Sequence, residues 1–104
     1  MKRVKRRYLA LQIEREVFPT DREFVDAVWA AVTRLYGEVG ASQTGLTLID
    51  FDAERKVAVL RVSLAALNTV RASVATITSI GGKETSVQVL SVSGTLKALF
   101  SRAD

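Results

Sequence analysis

The sequence contains neither cysteine nor histidine. Without cysteine the chain can form no disulfide bond and no thiolate zinc site. Without histidine it lacks the most common general base and a very common metal ligand. No apolar run approaches the roughly 18 residues that a membrane-spanning helix needs, so we expect a cytoplasmic protein with no membrane partner. These absences weigh against an enzyme whose own side chains carry out the chemistry.

Positive charge is concentrated at the N-terminus. The first seven residues hold five of the 15 basic side chains, whereas the remaining 97 residues hold ten basic and 11 acidic ones, a net charge of −1. Basic arms often bind nucleic acid because neutralising phosphates releases condensed counterions, although a solubilising terminus has the same composition. We therefore predict a basic arm at residues 1–7 and a single domain at residues 8–104. The candidate RNA ligands in the arm are Lys2, Arg3, Lys5, Arg6 and Arg7.

The hydrophobic pattern predicts four strands and two helices in the order β-α-β-β-α-β. Apolar residues alternate with polar ones from Arg7 to Arg15, which places Leu9, Leu11 and Ile13 on one face of a half-buried strand. This element order folds into one four-stranded antiparallel sheet with two helices on one face. The predicted fold class is therefore α+β, in the ferredoxin-like arrangement that RNA-recognition modules share, with an extra short C-terminal helix. The other predicted strands cover residues 46–51, 56–63 and 85–92, and the two main helices cover residues 21–37 and 68–80.

Local signals fix the ends of the predicted helices. Thr20 and Glu23 have the spacing of a capping box, in which each side chain accepts a hydrogen bond from the backbone of the other residue. Gly37 is expected to end the first helix, since glycine adopts the left-handed conformation that a helix stop often needs. Asn68 is a plausible cap for the second helix, and the glycine pair at residues 81–82 is expected to end it.

A structural motif, Ser93-Gly94-Thr95, precedes the C-terminal helix. We expect Gly94 to need a positive φ angle at the turn from strand to helix, and Thr95 to cap the helix. Lys97 would then lie in the first helical turn, where a cation is slightly unfavourable because the helix dipole is positive there. Phosphate contact gives a better reason for this lysine than the fold does.

Three clustered carboxylates, Asp50, Asp52 and Glu54, are the strongest enzymatic candidates. Carboxylates at this spacing can hold Mg²⁺ and activate water, as nucleases require. However, Asp52 and Glu54 fall on a predicted hairpin turn, where aspartate is favoured for backbone reasons. We favour the turn interpretation.

The second face of the sheet is too apolar to be left in water. Either the C-terminal helix covers it, through Leu96, Leu99 and Phe100, or a partner protein does. The two predicted central strands carry one aromatic residue, Tyr8, so we do not expect a base-stacking platform. Any RNA contact should depend on basic side chains and shape.

Four segments, in this order and spacing, resemble motifs of the small ribonuclease P/MRP protein subunit family, called ribonuclease P protein component 2 in archaea. They are Arg7–Ile13, Leu60–Val62, Val70–Ser73 and Val92–Lys97. The resemblance implies a non-catalytic subunit that binds and supports the catalytic RNA while the 5′ leader of precursor tRNA is removed. It implies no cofactor bound by the protein, Mg²⁺ held in the RNA active site, and a chain that is inactive alone. The basic residues of the matching segments then join the candidate RNA ligands: Arg61, Arg71 and Lys97.

The resemblance also implies partners. These are ribonuclease P RNA, precursor tRNA and ribonuclease P protein component 3, a subunit with a TIM-barrel-like fold; two such protein pairs can join into a heterotetramer. Two alternatives stay open. The chain could be a small ferredoxin-like homodimeric regulatory or metabolic domain with no RNA role, its sheets packed face to face, or a metal-dependent nuclease that uses Asp50 and Asp52.

Overall fold

The structure is a computed structural model that describes residues 5–14 and 18–102. Its main sheet has four strands, and every neighbouring pair is antiparallel; the second strand along the chain lies at one edge, followed by the third, the first and the sixth. This is the predicted ferredoxin-like arrangement, with the first and third strands at the centre. The elements in chain order are β1 (Arg6–Glu14), α1 (Asp21–Ser42), β2 (Thr47–Asp52), β3 (Val57–Ser63), a 3₁₀ turn (Leu64–Ala66), α2 (Leu67–Ala75), β4 (Ser79–Ile80), β5 (Lys83–Glu84), β6 (Ser86–Ser93) and α3 (Leu96–Arg102).

The main core lies between one face of the sheet, the inner face, and helices α1 and α2. Side chains alternate between the two faces of a strand, so Leu9, Leu11 and Ile13 all point inward and are fully buried, as predicted. Val28 of α1 and Val70 of α2 pack into the same cluster. These two helices therefore bury the apolar side of the sheet that the alternation in β1 had indicated.

A second, smaller cluster lies on the outer face of the sheet, beneath α3. Ala10 and Val59 are almost completely buried there with Leu99, and Tyr8 and Leu96 pack around them. The chain itself therefore covers part of this face through α3, the first of the two possibilities raised by its apolar sequence. The predicted contribution of the Phe100 side chain lies outside the described side chains.

The start of α1 has the predicted capping box. The Thr20 Oγ1 atom accepts a hydrogen bond from the Glu23 amide at 3.1 Å, and Glu23 Oε1 accepts one from the Thr20 amide at 2.9 Å. Because both partners lie within four residues, this geometry depends on local sequence alone.

The predicted end of α1 was only partly right. Gly37 has φ 78° and ψ 172°, so it does interrupt the helix, but helical structure resumes and continues to Ser42. The predicted helix end at residue 37 was therefore wrong by five residues. Leu35, two residues before the interruption, is 46% exposed.

The second helix differs more from its prediction. It begins at Leu67 after a 3₁₀ turn and ends at Ala75, so Asn68 is not its cap and the predicted end at Ile80 was wrong. Thr76, Ile77 and Thr78 follow the helix, and β-branched residues of this kind are restricted in helices. The chain then forms the hairpin β4–β5, whose turn residues Gly81 and Gly82 both have positive φ angles, as a type I′ turn requires.

Candidate nucleic-acid interface

Five of the predicted RNA ligands meet at one end of the sheet. Because β1 is antiparallel to both β3 and β6, its start lies beside the ends of those strands: Arg6 is opposite Ser63, and Tyr8 is opposite both Arg61 and Ser93. Helix α3 begins three residues after the end of β6, so its first turn belongs to the same end. We call this surface the basic end and define it by Lys5, Arg6, Arg7, Arg61 and Lys97.

The basic end carries five cationic side chains and is more positive than the opposite end of the sheet. Glu14 closes β1 at that other end, and the turn between β2 and β3 there carries Asp52 and Glu54 together with Arg55 and Lys56. Within the described residues, no ion pair involves the arginines of the basic end, whereas the exposed side chains of Arg22 and Asp26 on α1 form one at 3.9 Å. The domain therefore has a charge asymmetry along its strands, of the kind that attracts polyanions.

Arg6 and Arg61 lie on the outer face of the sheet, together with Tyr8. Arg6 is exposed, whereas Arg61 and Tyr8 are half-buried. The Nε atom of Arg61 is buried, and it has no hydrogen-bond partner among the described residues; the same holds for Oγ of Ser91. Buried polar groups are usually hydrogen-bonded, so these two atoms are exceptions that need an explanation.

Arg7 is held at the turn that follows β6. Its Nη1 atom donates a hydrogen bond to the Arg6 carbonyl at 2.8 Å. The same Nη1 atom would be 3.7 Å from a Cβ atom placed on Gly94. The guanidinium of Arg7 therefore lies against the backbone of the Ser93-Gly94-Thr95 motif.

That motif forms the turn into α3 mainly through its hydroxyl groups. Thr95 Oγ1 accepts a hydrogen bond from the Ala98 amide at 3.1 Å, which confirms its capping role, and Ser93 Oγ accepts one from the Thr95 amide at 3.4 Å. The prediction of a positive φ angle at Gly94 was wrong, since the glycines with a positive φ angle are Gly37, Gly45, Gly81 and Gly82. Hydroxyl side chains that bond to nearby backbone groups can turn the chain without a left-handed residue.

The other predicted ligands are elsewhere or outside the described residues. Arg71 is exposed on α2, on the far side of the sheet from Arg61, because its neighbours Val70 and Val74 pack into the inner core. Lys2 and Arg3 lie outside the described residues. The fold therefore gives Arg71 no place in the basic end.

The carboxylate cluster has a structural explanation in the β2–β3 turn. Asp52 Oδ1 accepts hydrogen bonds from the amides of Glu54 at 3.0 Å and Arg55 at 3.2 Å. This confirms the turn interpretation of Asp52, and the adjacent Lys56 adopts a positive φ of 57°. Among residues 5–14 and 18–102, no three acidic side chains come close enough together to hold a metal ion. In the same part of the chain, none of the helices has the length and apolarity to cross a bilayer.

Fold and surface together define the class: a ferredoxin-like α+β protein with a polycationic end on its sheet. The Rpp14/Pop5 family matches residues 7–103, and the chain belongs to this family. Ribonuclease P protein component 2 of Methanosarcina barkeri is 33% identical over 95 residues, which cover 91% of this chain and 69% of that protein. The protein of the same name from Pyrococcus furiosus is 32% identical over 97 residues, covering 93% and 81%. The resemblance read from the four motifs is thus confirmed.

A solved structure gives the same result for the fold. A chain in the cryo-EM structure of yeast ribonuclease MRP superposes with a TM-score of 0.73 at 22% sequence identity. The superposition covers 92% of this chain and 79% of that chain. At this identity the similarity establishes the shared fold.

Proposed function

We propose that this chain is a protein subunit of ribonuclease P that binds and supports the catalytic RNA during removal of the 5′ leader of precursor tRNA. The observation that carries the proposal is the family match over residues 7–103, with relatives named ribonuclease P protein component 2. The basic end supplies the physical means. Clustered arginines and lysines attract RNA phosphates and fix the position of a protein on them without reading sequence.

In this proposal the chain is not the catalyst. It has no histidine or cysteine, and the carboxylate of Asp52 already accepts two turn amides. Catalysis and the Mg²⁺ ions are assigned to the RNA, and the protein itself binds no cofactor. Its task is to orient and stabilise the RNA by charge neutralisation, in the cytoplasm.

The proposal includes a second protein, ribonuclease P protein component 3, and a heterotetramer of two such pairs. Three side chains near the end of α1 support a contact with another protein: Leu35 and Tyr36 are each 46% exposed, and Val39 is 73% exposed. Exposed large apolar side chains that lie close together in sequence on a small domain are candidates for an interface. The alternative of a homodimer with its sheets packed face to face is disfavoured, because α3 already covers part of the outer face.

Reconstitution tests the proposal. Ribonuclease P is assembled from the RNA and protein subunits of Methanosarcina barkeri, with this chain in place of component 2, and cleavage of precursor tRNA is scored at several Mg²⁺ concentrations. The controls are the organism's own component 2, omission of component 2, and this chain alone. We expect this chain to restore leader removal and to show no cleavage alone. Cleavage by the chain alone would favour the nuclease, and failure to restore activity or bind the RNA would favour the non-RNA alternative.

A further inference from the structure

The guanidinium of Arg61 is placed in a way that the fold alone does not explain. Arg61 lies in a central strand, on the outer face, between Thr47 of β2 and Tyr8 of β1. Its Nε atom is buried without an acceptor in the described part of the chain. Leaving one N–H of a charged side chain buried without an acceptor is unfavourable, and an apolar or short polar residue would avoid that loss.

A second arginine adds to the unfavourable charge. Arg6 lies on the same face of the neighbouring strand, two residues before Tyr8, which is the residue opposite Arg61. Side chains in this diagonal relation are close enough for long residues to interact, and like charges so placed repel each other. An anion bound between the two guanidinium groups would remove both the repulsion and the unpaired donor.

We propose that Arg61 and Arg6 form a phosphate-binding site for the RNA backbone on the outer face of the sheet, beside α3. This inference rests on the proposed RNA-binding function and specifies where the RNA lies on the protein. The RNA crosses the outer face at the basic end and does not contact the α2 side. A modest rotation of the Arg61 side chain would present Nε and Nη as a fork to one phosphate, the geometry that arginine provides and lysine does not.

An RNA phosphate suits this site better than a single carboxylate of a partner protein. Lys5, Arg7 and Lys97 lie at the same end of the sheet, so the positive surface extends beyond the two arginines. A polyanion can contact all of these cations at once, and each contact adds counterion release to the affinity. A single carboxylate could contact the two arginines but could not also reach the other cations of the basic end.

Arg71 provides a matched control for Arg61. Both are arginines in regular structure, but Arg71 is exposed on α2 at the other side of the sheet. We would measure the affinity of the full chain for a short fluorescein-labelled RNA hairpin by anisotropy over a salt series. The variants are Arg61→Gln, Arg61→Lys, Arg6→Gln and Arg71→Gln, each checked for folding by thermal melting.

We expect Arg61→Gln to weaken binding about five- to tenfold and to lower the slope of log K against log salt by about 0.7–0.9. Arg61→Lys should keep the slope but lose affinity, because it keeps the charge without the fork. Arg6→Gln should behave like Arg61→Gln and keeps the test valid if the latter does not fold. Arg71→Gln should leave both affinity and slope unchanged.

NMR spectroscopy can monitor the Nε–H donor of Arg61 directly. In NMR spectra the Nε–H resonance of Arg61 should shift when the unlabelled hairpin is added, while that of Arg71 stays in place. If the wild-type chain binds the hairpin but Arg61→Gln binds it equally well, or if Arg71→Gln is as weak as Arg61→Gln, the site is wrong and the RNA-binding function stands. A resonance that responds to a partner protein and not to RNA would also overturn it. A wild-type chain that binds neither the hairpin nor ribonuclease P RNA would overturn both proposals.

Discussion

The carboxylate of Glu23 lies directly against Gly81, so close that a Cβ atom built at residue 81 would collide with Glu23 Oε2. The other oxygen, Oε1, accepts the capping hydrogen bond from the Thr20 amide. One side chain therefore joins the start of α1 to the turn of the β4–β5 hairpin, 58 positions further along the chain. The contact adds to the anchoring of the hairpin by Ile80, whose side chain is buried in the main core.

Replacing Gly81 with alanine should therefore destabilise the fold more than the same change at Gly82. Both residues have positive φ angles, +60° and +79°, but a Cβ atom at Gly82 meets nothing within 4 Å. Gly82→Ala should lose about 1 kcal/mol of unfolding free energy from backbone strain alone. Gly81→Ala should lose about 1 kcal/mol more, because the Glu23 carboxylate must leave its capping position. Chemical denaturation measures both.

A double-mutant cycle separates the two causes. In a Glu23→Ala background the collision is gone, so Gly81→Ala should lose no more than Gly82→Ala does in the same background. Contacting residues commonly show coupling of about 0.5–3 kcal/mol in such cycles. If the two substitutions at residues 23 and 81 prove additive, the link between helix and hairpin contributes nothing to stability.

The carboxylates at Asp50 and Asp52 can be tested for activity and stability together. Asp50→Asn with Asp52→Asn should leave reconstituted cleavage within a few-fold of normal, because the asparagine oxygen still accepts the two turn amides. Asp52→Ala should lose about 1 kcal/mol of stability, the typical net value of a hydrogen bond, whereas Asp50→Ala on an exposed strand position should stay within about 0.5 kcal/mol. A fall in cleavage on the order of 10³-fold in the double asparagine variant would instead show a catalytic metal site.

Features that depend on neighbouring residues could be predicted from the sequence. The capping box needs only Thr20 and Glu23, the inner face of β1 follows from strict alternation, and the turn role of Asp52 follows from its position between two strands. The helix ends were harder. The resumption of α1 after Gly37 depends on packing between distant segments, which outweighs local propensity. The end of α2 at Ala75 has a local signal in the β-branched residues that follow it, but the pairing of β4 with β5 has no such signal.

The candidate site was only partly predictable for the same reason. Basic residues of the N-terminal arm stand out in the sequence, but Arg6 and Arg61 come together only through the register of β1 with β3. No local pattern distinguishes Arg61 from Arg71, and both were grouped as RNA ligands. Arg61 lies on the face that α3 covers, whereas Arg71 lies on α2, which covers the opposite face. This difference is a property of the whole fold.

Gly94 should tolerate alanine, contrary to the sequence-based expectation of a positive φ angle there. A Cβ atom at this position would be in ordinary van der Waals contact with Arg7 Nη1, at 3.7 Å. Gly94→Ala should be neutral or stabilise the fold by up to about 1 kcal/mol, through a lower entropy of the unfolded chain. Gly45 is the matched control: its Cβ would also have its nearest neighbour at 3.7 Å, but its φ angle is +64°. Gly45→Ala should lose about 1 kcal/mol or more, and equal losses in the two variants would show that Gly94 is strained after all.

Substitutions at Thr95 and Lys97, which lie within one turn of α3, should affect different properties: the first stability and the second RNA binding. Thr95 Oγ1 accepts the Ala98 amide at the start of α3, so Thr95→Ala should lose about 1 kcal/mol of stability, while Thr95→Ser should keep most of it. Lys97 is exposed in the first turn, where the helix dipole disfavours a cation. Lys97→Ala should therefore melt at the same temperature as the wild type or slightly higher, yet bind RNA more weakly, with a lower salt slope because one phosphate contact is lost. Thermal melting and the anisotropy assay, run on the same samples, measure the two effects side by side. A clear fall in melting temperature with unaltered RNA affinity would reverse the assignment and make Lys97 a structural residue of α3.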